Sequence, residues 1–105
     1  MNGEAPPMAD TLEIHHDDGA ARGAFHIERN GSSVAEMTYA WRDERRVTID
    51  HTFVDDSLRG LGVARKLLDA AVAWARATGI RVRATCEYAR GQFDKDPSIG
   101  DVLER

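Results

Sequence analysis

Val47 to Cys86 reads VTIDHTFVDDSLRGLGVARKLLDAAVAWARATGIRVRATC, and this stretch decides the fold. Its opening, Val47 to Val54, alternates and is rich in β-branched residues, which suits a strand. From Gly62 to Thr78 the period becomes helical. Val63, Leu67, Ala70, Ala71 and Trp74 fall on one face, widened by Ala64, Leu68 and Ala75, while Arg65, Lys66, Asp69 and Arg76 lie largely off it. Gly79 stops the helix. Ile80 to Cys86 is again strand-like. The unit is strand, helix, strand, so its two strands should be parallel and joined right-handedly.

Working outward, the residues before Val47 read as three more strands. Leu12 to His16 alternates and stops at the turn signal Asp17-Asp18-Gly19. Ala24 to Glu28 alternates and stops at Asn30-Gly31, the strongest short hairpin signal. Val34 to Trp41 follows, and the charged run Arg42 to Arg46 reads as a turn. Strands with such short connections form an antiparallel meander. Beyond Cys86, Glu87 to Phe93 and Ser98 to Leu103 read as short helices separated at Asp96-Pro97. The expected fold class is α/β (α+β): a mainly antiparallel twisted sheet, strands four and five parallel, with short helices at the end.

The 105 residues suit one domain, expected over residues 11–105, with Met1 to Asp10 a disordered lead-in. That lead-in lacks the basic start and apolar core of a signal peptide. No stretch approaches the roughly 18–20 apolar residues of a membrane helix. The formal charge of −4, from 14 basic and 18 acidic residues, argues against nonspecific nucleic-acid binding. One cysteine allows no internal disulfide and fits a reducing, cytoplasmic compartment. His15-His16 beside Asp17-Asp18 is a poor metal site, because neighbours on a strand point to opposite faces. Trp41 and Trp74 read as packing residues.

The loop Asp55 to Ala64 carries the functional argument. It sets Gly60 and Gly62 at the start of an amphipathic helix. The first turn of a helix has unpaired N–H groups and a partial positive charge, and glycine lets a phosphate approach the backbone. Together they make an anion site, with Arg59, Arg65 and Lys66 adding charge around it. Two glycines that merely make a tight turn would look the same. The spacing is not that of a dinucleotide fingerprint, and no Gly-Lys-Ser/Thr phosphate loop is present. Asp55-Asp56 either caps the loop, stays solvated or attracts a cationic acceptor.

Arg59-Gly60-Leu61-Gly62-Val63-Ala64 resembles the R/Q-x-x-G-x-G/A signature of the GNAT superfamily of acetyltransferases. His51-Thr52-Phe53-Val54, this loop and Cys86-Glu87-Tyr88 together resemble a small single-domain GNAT-like subfamily with H-T-x-V, R-G-x-G-V-A and C-x-Y segments. The resemblance runs from about Gly31 to Leu103. Two features depart from it: Ala84-Thr85 stands where a proline often precedes the cysteine, and Asp96 where a basic residue often precedes the tail proline. Neither touches the cofactor loop, and both bear on what the resemblance implies for the acceptor.

The resemblance implies acyl transfer from acetyl-coenzyme A (acetyl-CoA) to an amine. It implies a cofactor site made of Val54, Arg59, Gly60, Leu61, Gly62, Val63, Ala64 and Arg65, with the pyrophosphate on the backbone from Gly60 to Ala64 and the pantetheine between strands four and five. It also implies that Tyr88 donates to the departing sulfur, although a tyrosine packed at the surface would occupy the same place. Cys86, where a strand meets a helix start, is a nucleophile favoured as thiolate, a lining residue of the thioester pocket, or a small buried hydrophobe. His51 is a candidate base or an ordinary strand histidine. It precedes Val54 by about 10 Å of strand, so a direct contact with Cys86 is not required. A non-catalytic module that binds acyl-CoA is the alternative, with a second copy or a partner protein supplying an acceptor wall. Neither nucleic acid nor a membrane is an expected partner.

Overall fold

The structure, a computed structural model, describes residues 12–104. The lead-in expected over Met1 to Asp10 lies outside the described residues. Strands β1 (His15–Asp18), β2 (Arg22–Arg29), β3 (Ser32–Asp43) and β4 (Arg46–Val54) form an antiparallel meander. Helix α1 (Val63–Thr78) then crosses to β5 (Arg81–Ala84), which lies parallel to β4. Sheet order follows chain order, β1-β2-β3-β4-β5. Helix α2 (Glu87–Lys95) and a 3-10 segment, Pro97–Val102, complete the chain. This is the mixed sheet with a parallel last pair that the pattern predicts.

Local chemistry explains most boundaries. Asn30 and Gly31 both take positive φ (52° and 81°), and Arg29 pairs with Ser32, so the hairpin turns in two residues. The first strand differs from expectation: it starts at His15 and continues through Asp17 and Asp18. Those carboxylates find partners across the sheet, so the segment extends instead of turning. Asp17 Oδ2 lies 2.6 Å from His26 Nε2, and Asp18 Oδ1 accepts from the Tyr39 hydroxyl and Trp41 Nε1, each at 2.8 Å. The turn comes later, where Gly19 N–H donates to the Arg22 carbonyl at 2.9 Å.

Helix α1 buries Val63, Leu67, Leu68, Ala71, Val72 and Ala75. Its stripe is rotated slightly from the expected one: Val72 belongs to it, while Ala70 and Trp74 are only partly buried. The stripe packs on the inward residues of the sheet, Phe25, Ile27, Ala35, Met37, Tyr39, Val47, Ile49 and Val82. Leu67 and Leu68 are wholly buried, and each such side chain stabilises the fold by about 1.5–3 kcal/mol. Trp74 lies at the rim, its ring 5.0 Å from Tyr39 and 5.8 Å from Trp41. Ala89, Phe93, Ile99 and Val102 close the core from the C-terminal side. Among the described residues no helix is long and apolar enough to cross a membrane.

One irregularity positions the site. Thr38 pairs with His51, but Tyr39 pairs with Ile49, so Asp50 is an extra residue in β4. Such a bulge bends its strand and ends regular pairing. Asp50 is held in place by Thr38 Oγ1, which donates at 2.6 Å, and by Arg22, at 2.9 Å. The bulge also resets the alternation. Val47 and Ile49 face the core before it; Thr52 and Val54 face that side after it.

Candidate functional site

Because of the bulge, β4 and β5 pair only from Arg46–Arg81 to Ile49–Ala84. The last bonds converge on one acceptor: Thr85 N–H and Cys86 N–H both reach the Ile49 carbonyl, at 2.9 and 3.3 Å. For that reason β5 ends at Ala84 and not at the expected Cys86. Past this point β4 runs on to Val54 with no β5 residue beside it, and a cleft of about 440 Å³ opens along its free end. Thr52 and Val54 form one wall and Tyr88 stands among the facing residues. Leu58 and Val63 contribute apolar surface, and Arg59, Gly60, Gly62, Ala64 and Arg65 complete the lining.

The start of α1 opens into this cleft. Gly62 is its N-cap in the left-handed conformation (φ 70°), and no side chain caps the end. The first helical bond runs from Lys66 N–H to the Gly62 carbonyl. The N–H groups of Val63, Ala64 and Arg65 therefore have no acceptor within the helix. Gly60 is left-handed too (φ 83°), and a Cβ at either glycine would meet nothing within 4 Å. Backbone conformation, not crowding, demands glycine here, and the space above it is open to a ligand. An acidic residue is missing from the first turn, so nothing opposes an anion there. These features fit the pyrophosphate of a CoA thioester.

The loop ahead of the helix is braced by Asp55, which accepts from Ser57 N–H (2.9 Å) and Ser57 Oγ (2.6 Å) and caps the 3-10 turn Asp56–Leu58. Those two hydrogen bonds hold its carboxyl below the ordinary carboxylate range. Arg59 pairs with Asp56 at 2.7 Å, but the side chains are 74% and 89% exposed, so an anion can displace that contact cheaply. Leu61 lies 55% exposed between the glycines.

Next to the cleft, behind Thr52, Cys86 is the N-cap of α2, and its Sγ accepts from Ala89 N–H at 3.4 Å. On β4, Thr52 Oγ1 lies 3.2 Å from the same sulfur. Tyr88, the second residue of α2, has its phenol pushed up by burial, against the opposing charge of Arg65. The hydroxyl therefore stays protonated near neutrality and is available as a donor. The structure brings Cys86, Tyr88, Val54 and the glycine loop to one region and leaves His51 out. His51 is exposed, and strand alternation puts it on the face opposite Thr52, so it does not reach Cys86. His15 and His16 likewise separate: His15 lies 5.5 Å from the His26 ring, while His16 stacks on Phe25 at 4.0 Å. Among the described residues no three His, Cys, Asp or Glu side chains gather as a metal site.

Sequence reasoning missed Thr52 as the partner of Cys86, because finding it requires the bulge. It also missed how Arg65 is used. Its Nε donates to Asp69 (2.8 Å), its Nη1 to Gln92 (2.8 Å) and its Nη2 to Asp96. The four-residue spacing of Arg65 and Asp69 on a helix was the only signal in the sequence.

Comparison with known proteins agrees with this fold. The profile of the GCN5-related N-acetyl-transferase family matches residues 24–102. Protein NATD1 of Bos taurus is 31% identical over 102 residues, spanning 96% of this chain and 88% of that protein. Protein NATD1 of Homo sapiens is 30% identical over 95 residues, spanning 90% and 81%. The solution structure of a GCN5-like protein from Staphylococcus aureus is 36% identical, covers 90% of each chain and superposes with a TM-score of 0.68. Aminoglycoside N-acetyltransferase AAC(6')-Iy, solved in complex with CoA, shares the fold at 18% identity, with a TM-score of 0.52 and coverage of 84% and 63%.

Proposed function

This chain belongs to the GCN5-related N-acetyltransferase family, and from that premise we propose that it binds acetyl-CoA between β4 and β5 and transfers the acetyl group to an amine. One observation carries the reading: an uncapped helix N-terminus, led by two left-handed glycines, opens into the cleft lined by Thr52 and Val54, just past the Asp50 bulge. When bound, acetyl-CoA supplies an already activated acyl group, so the protein's task is largely to bind, orient and move a proton.

The backbone N–H groups from Gly62 to Arg65 would hold the pyrophosphate, and Arg59 would add positive charge from the loop. Val54 and Thr52 would form the wall along the pantetheine, and Leu61 would lie over the loop. The Tyr88 hydroxyl would donate to the departing sulfur. Cys86 touches the cleft wall through Thr52, and its sulfur is already a helix cap. Intact mass separates its roles: an added acetyl group abolished by Cys86→Ala assigns a covalent step, and no added mass assigns capping and lining. His51 keeps a role only for an acceptor arriving on the uncovered sheet face.

The test is calorimetric titration with acetyl-CoA, followed by an amine and peptide panel. The expected result is saturable binding that Gly62→Trp abolishes while far-UV circular dichroism is retained. Absence of binding by the wild-type chain would overturn the cofactor site. Binding with no product on any acceptor would favour a module that senses or sequesters acyl-CoA.

A further inference from the structure

Arg65 occupies the third position of α1, beside the unpaired N–H groups, where a cation would ordinarily be read as a phosphate ligand. Its guanidinium is nevertheless committed elsewhere. Nε is taken by Asp69 one turn along α1, Nη1 by Gln92 Oε1 and Nη2 by Asp96 Oδ2, the last two on α2 and at its C-cap. A planar guanidinium holding separate acceptors with all three nitrogens is a rigid bracket, which a lysine cannot reproduce. The Arg65 side chain is 32% exposed and that of Asp96 28%, so the pair is partly shielded from solvent.

This bracket bridges the two walls of the cleft. Arg65 lies one turn from the glycine loop, while α2 carries Tyr88 and begins at Cys86. Among the described residues, the other polar link from α1 to the C-terminal segment is Arg76, which donates to Asp101 (2.8 and 2.9 Å) and to the Ser98 carbonyl (2.7 Å), at the far end of the helix. Helix α1 is thus pinned near each end, to α2 by Arg65 and to the 3-10 segment by Arg76.

We infer that Arg65 is a positioning residue that sets the spacing of the cleft by tying α2, and with it Tyr88, to the N-terminal turn of α1, and that it does not itself bind the phosphates. The consequence for ligand binding rests on the acetyl-CoA reading above; the tie between helices does not. The two roles predict opposite behaviour for Asp96. If Arg65 were a phosphate ligand, Asp96→Asn would free its charge and leave CoA binding unchanged or tighter. As a bracket, it needs Asp96, and binding weakens when either partner is lost.

Two measurements test this. The first is amide hydrogen exchange on the unliganded protein, for the wild type, Arg65→Ala, Arg65→Lys and Asp96→Asn. The amides of Ala89 and Arg90, in the first turn of α2, should exchange about tenfold faster in all three variants, with the interior of α1 unchanged. Unchanged protection at Ala89 and Arg90 would overturn the bracket, whatever the protein binds. The second is calorimetry with acetyl-CoA and with adenosine 3',5'-bisphosphate, which carries phosphates but no pantetheine. The bracket predicts that all three variants lose about tenfold for acetyl-CoA and little for the bisphosphate, and that Arg65→Ala with Asp96→Ala is no worse than either alone. Equal loss for both ligands in Arg65→Ala, with Asp96→Asn neutral or tighter, would make Arg65 a phosphate ligand and refute the inference. A wild type that binds neither ligand would sink the cofactor reading alone, and the exchange experiment would still decide the bracket.

Discussion

Tyr39 is 1% exposed, yet its hydroxyl donates to Asp18 at 2.8 Å and lies 2.7 Å from His16 Nε2. Burial and the Asp18 carboxylate together push its phenol well above the ordinary value, so it remains a donor throughout the physiological range. The ring fits because the facing strand has no side chain at position 23: a Cβ on Gly23 would lie 2.3 Å from the Tyr39 hydroxyl oxygen and 2.8 Å from the Asp17 carbonyl. Gly23→Ala should therefore destabilise the fold by about 1–3 kcal/mol, the usual cost of overpacking. Urea denaturation would measure it, and a midpoint unchanged from wild type would contradict the packing described. Nothing in the local run of β2 marks Gly23 as special. Its importance comes from Tyr39, sixteen residues on, which the register places opposite it.

At the scale of an element, β4 shows how one residue reshapes a site. Asp50 is the surplus residue of the bulge, fastened by Thr38 and Arg22 on the uncovered face. Deleting it should restore regular pairing between β3 and β4 and let β4 run straight beside β5. The residues beyond keep their faces, since the bulge residue is the one removed, so the sheet should survive. The cleft should narrow, and acetyl-CoA binding should fall below detection while far-UV circular dichroism stays native-like. Retained binding by the deletion variant would show that the cleft does not depend on the bulge.

At the scale of the molecule, the fold is laced by carboxylates held in their charged form. Asp96 is pulled down to about 2, first by Arg65 and then by Ser98. Asp43 is lowered by Arg46 and Asp101 by Arg76. Burial works against Glu104, but hydrogen bonds from Arg46 and Arg42 outweigh it and lower its value as well. Each group binds protons more weakly folded than unfolded, so its stabilisation is complete above the unfolded value of about 4 and is lost as pH falls below it. His16 adds to this earlier. Its imidazole is lowered by burial against the pull of Asp18 and Asp17, so protonating it also disfavours the fold as pH drops below its ordinary value near 6.5. Thermal unfolding should show a shallow loss of melting temperature below about pH 6 and a steep one from about pH 4 toward 2. In Arg65→Ala the steep limb should be reduced. A melting temperature flat down to pH 3 would mean that these pairs contribute nothing net.

Taken by itself, the sequence determined the strands from their period of two, the hairpin from Asn30-Gly31, the crossover helix from its apolar stripe and the candidate anion site from Gly60 and Gly62. Each of these depends on residues close together in the chain, whose backbone preferences and periodicity act locally. Tertiary structure alone decided that Asp50 is a bulge, that Thr52 and not His51 meets Cys86, that Asp17 and Asp18 extend β1, and that Arg65 spends its nitrogens on Asp69, Gln92 and Asp96. Most of those outcomes are set by pairing register and by contacts such as Thr52 with Cys86, 34 positions apart. A side chain's face and partner follow from which strand or helix is packed beside it, and no local pattern encodes that.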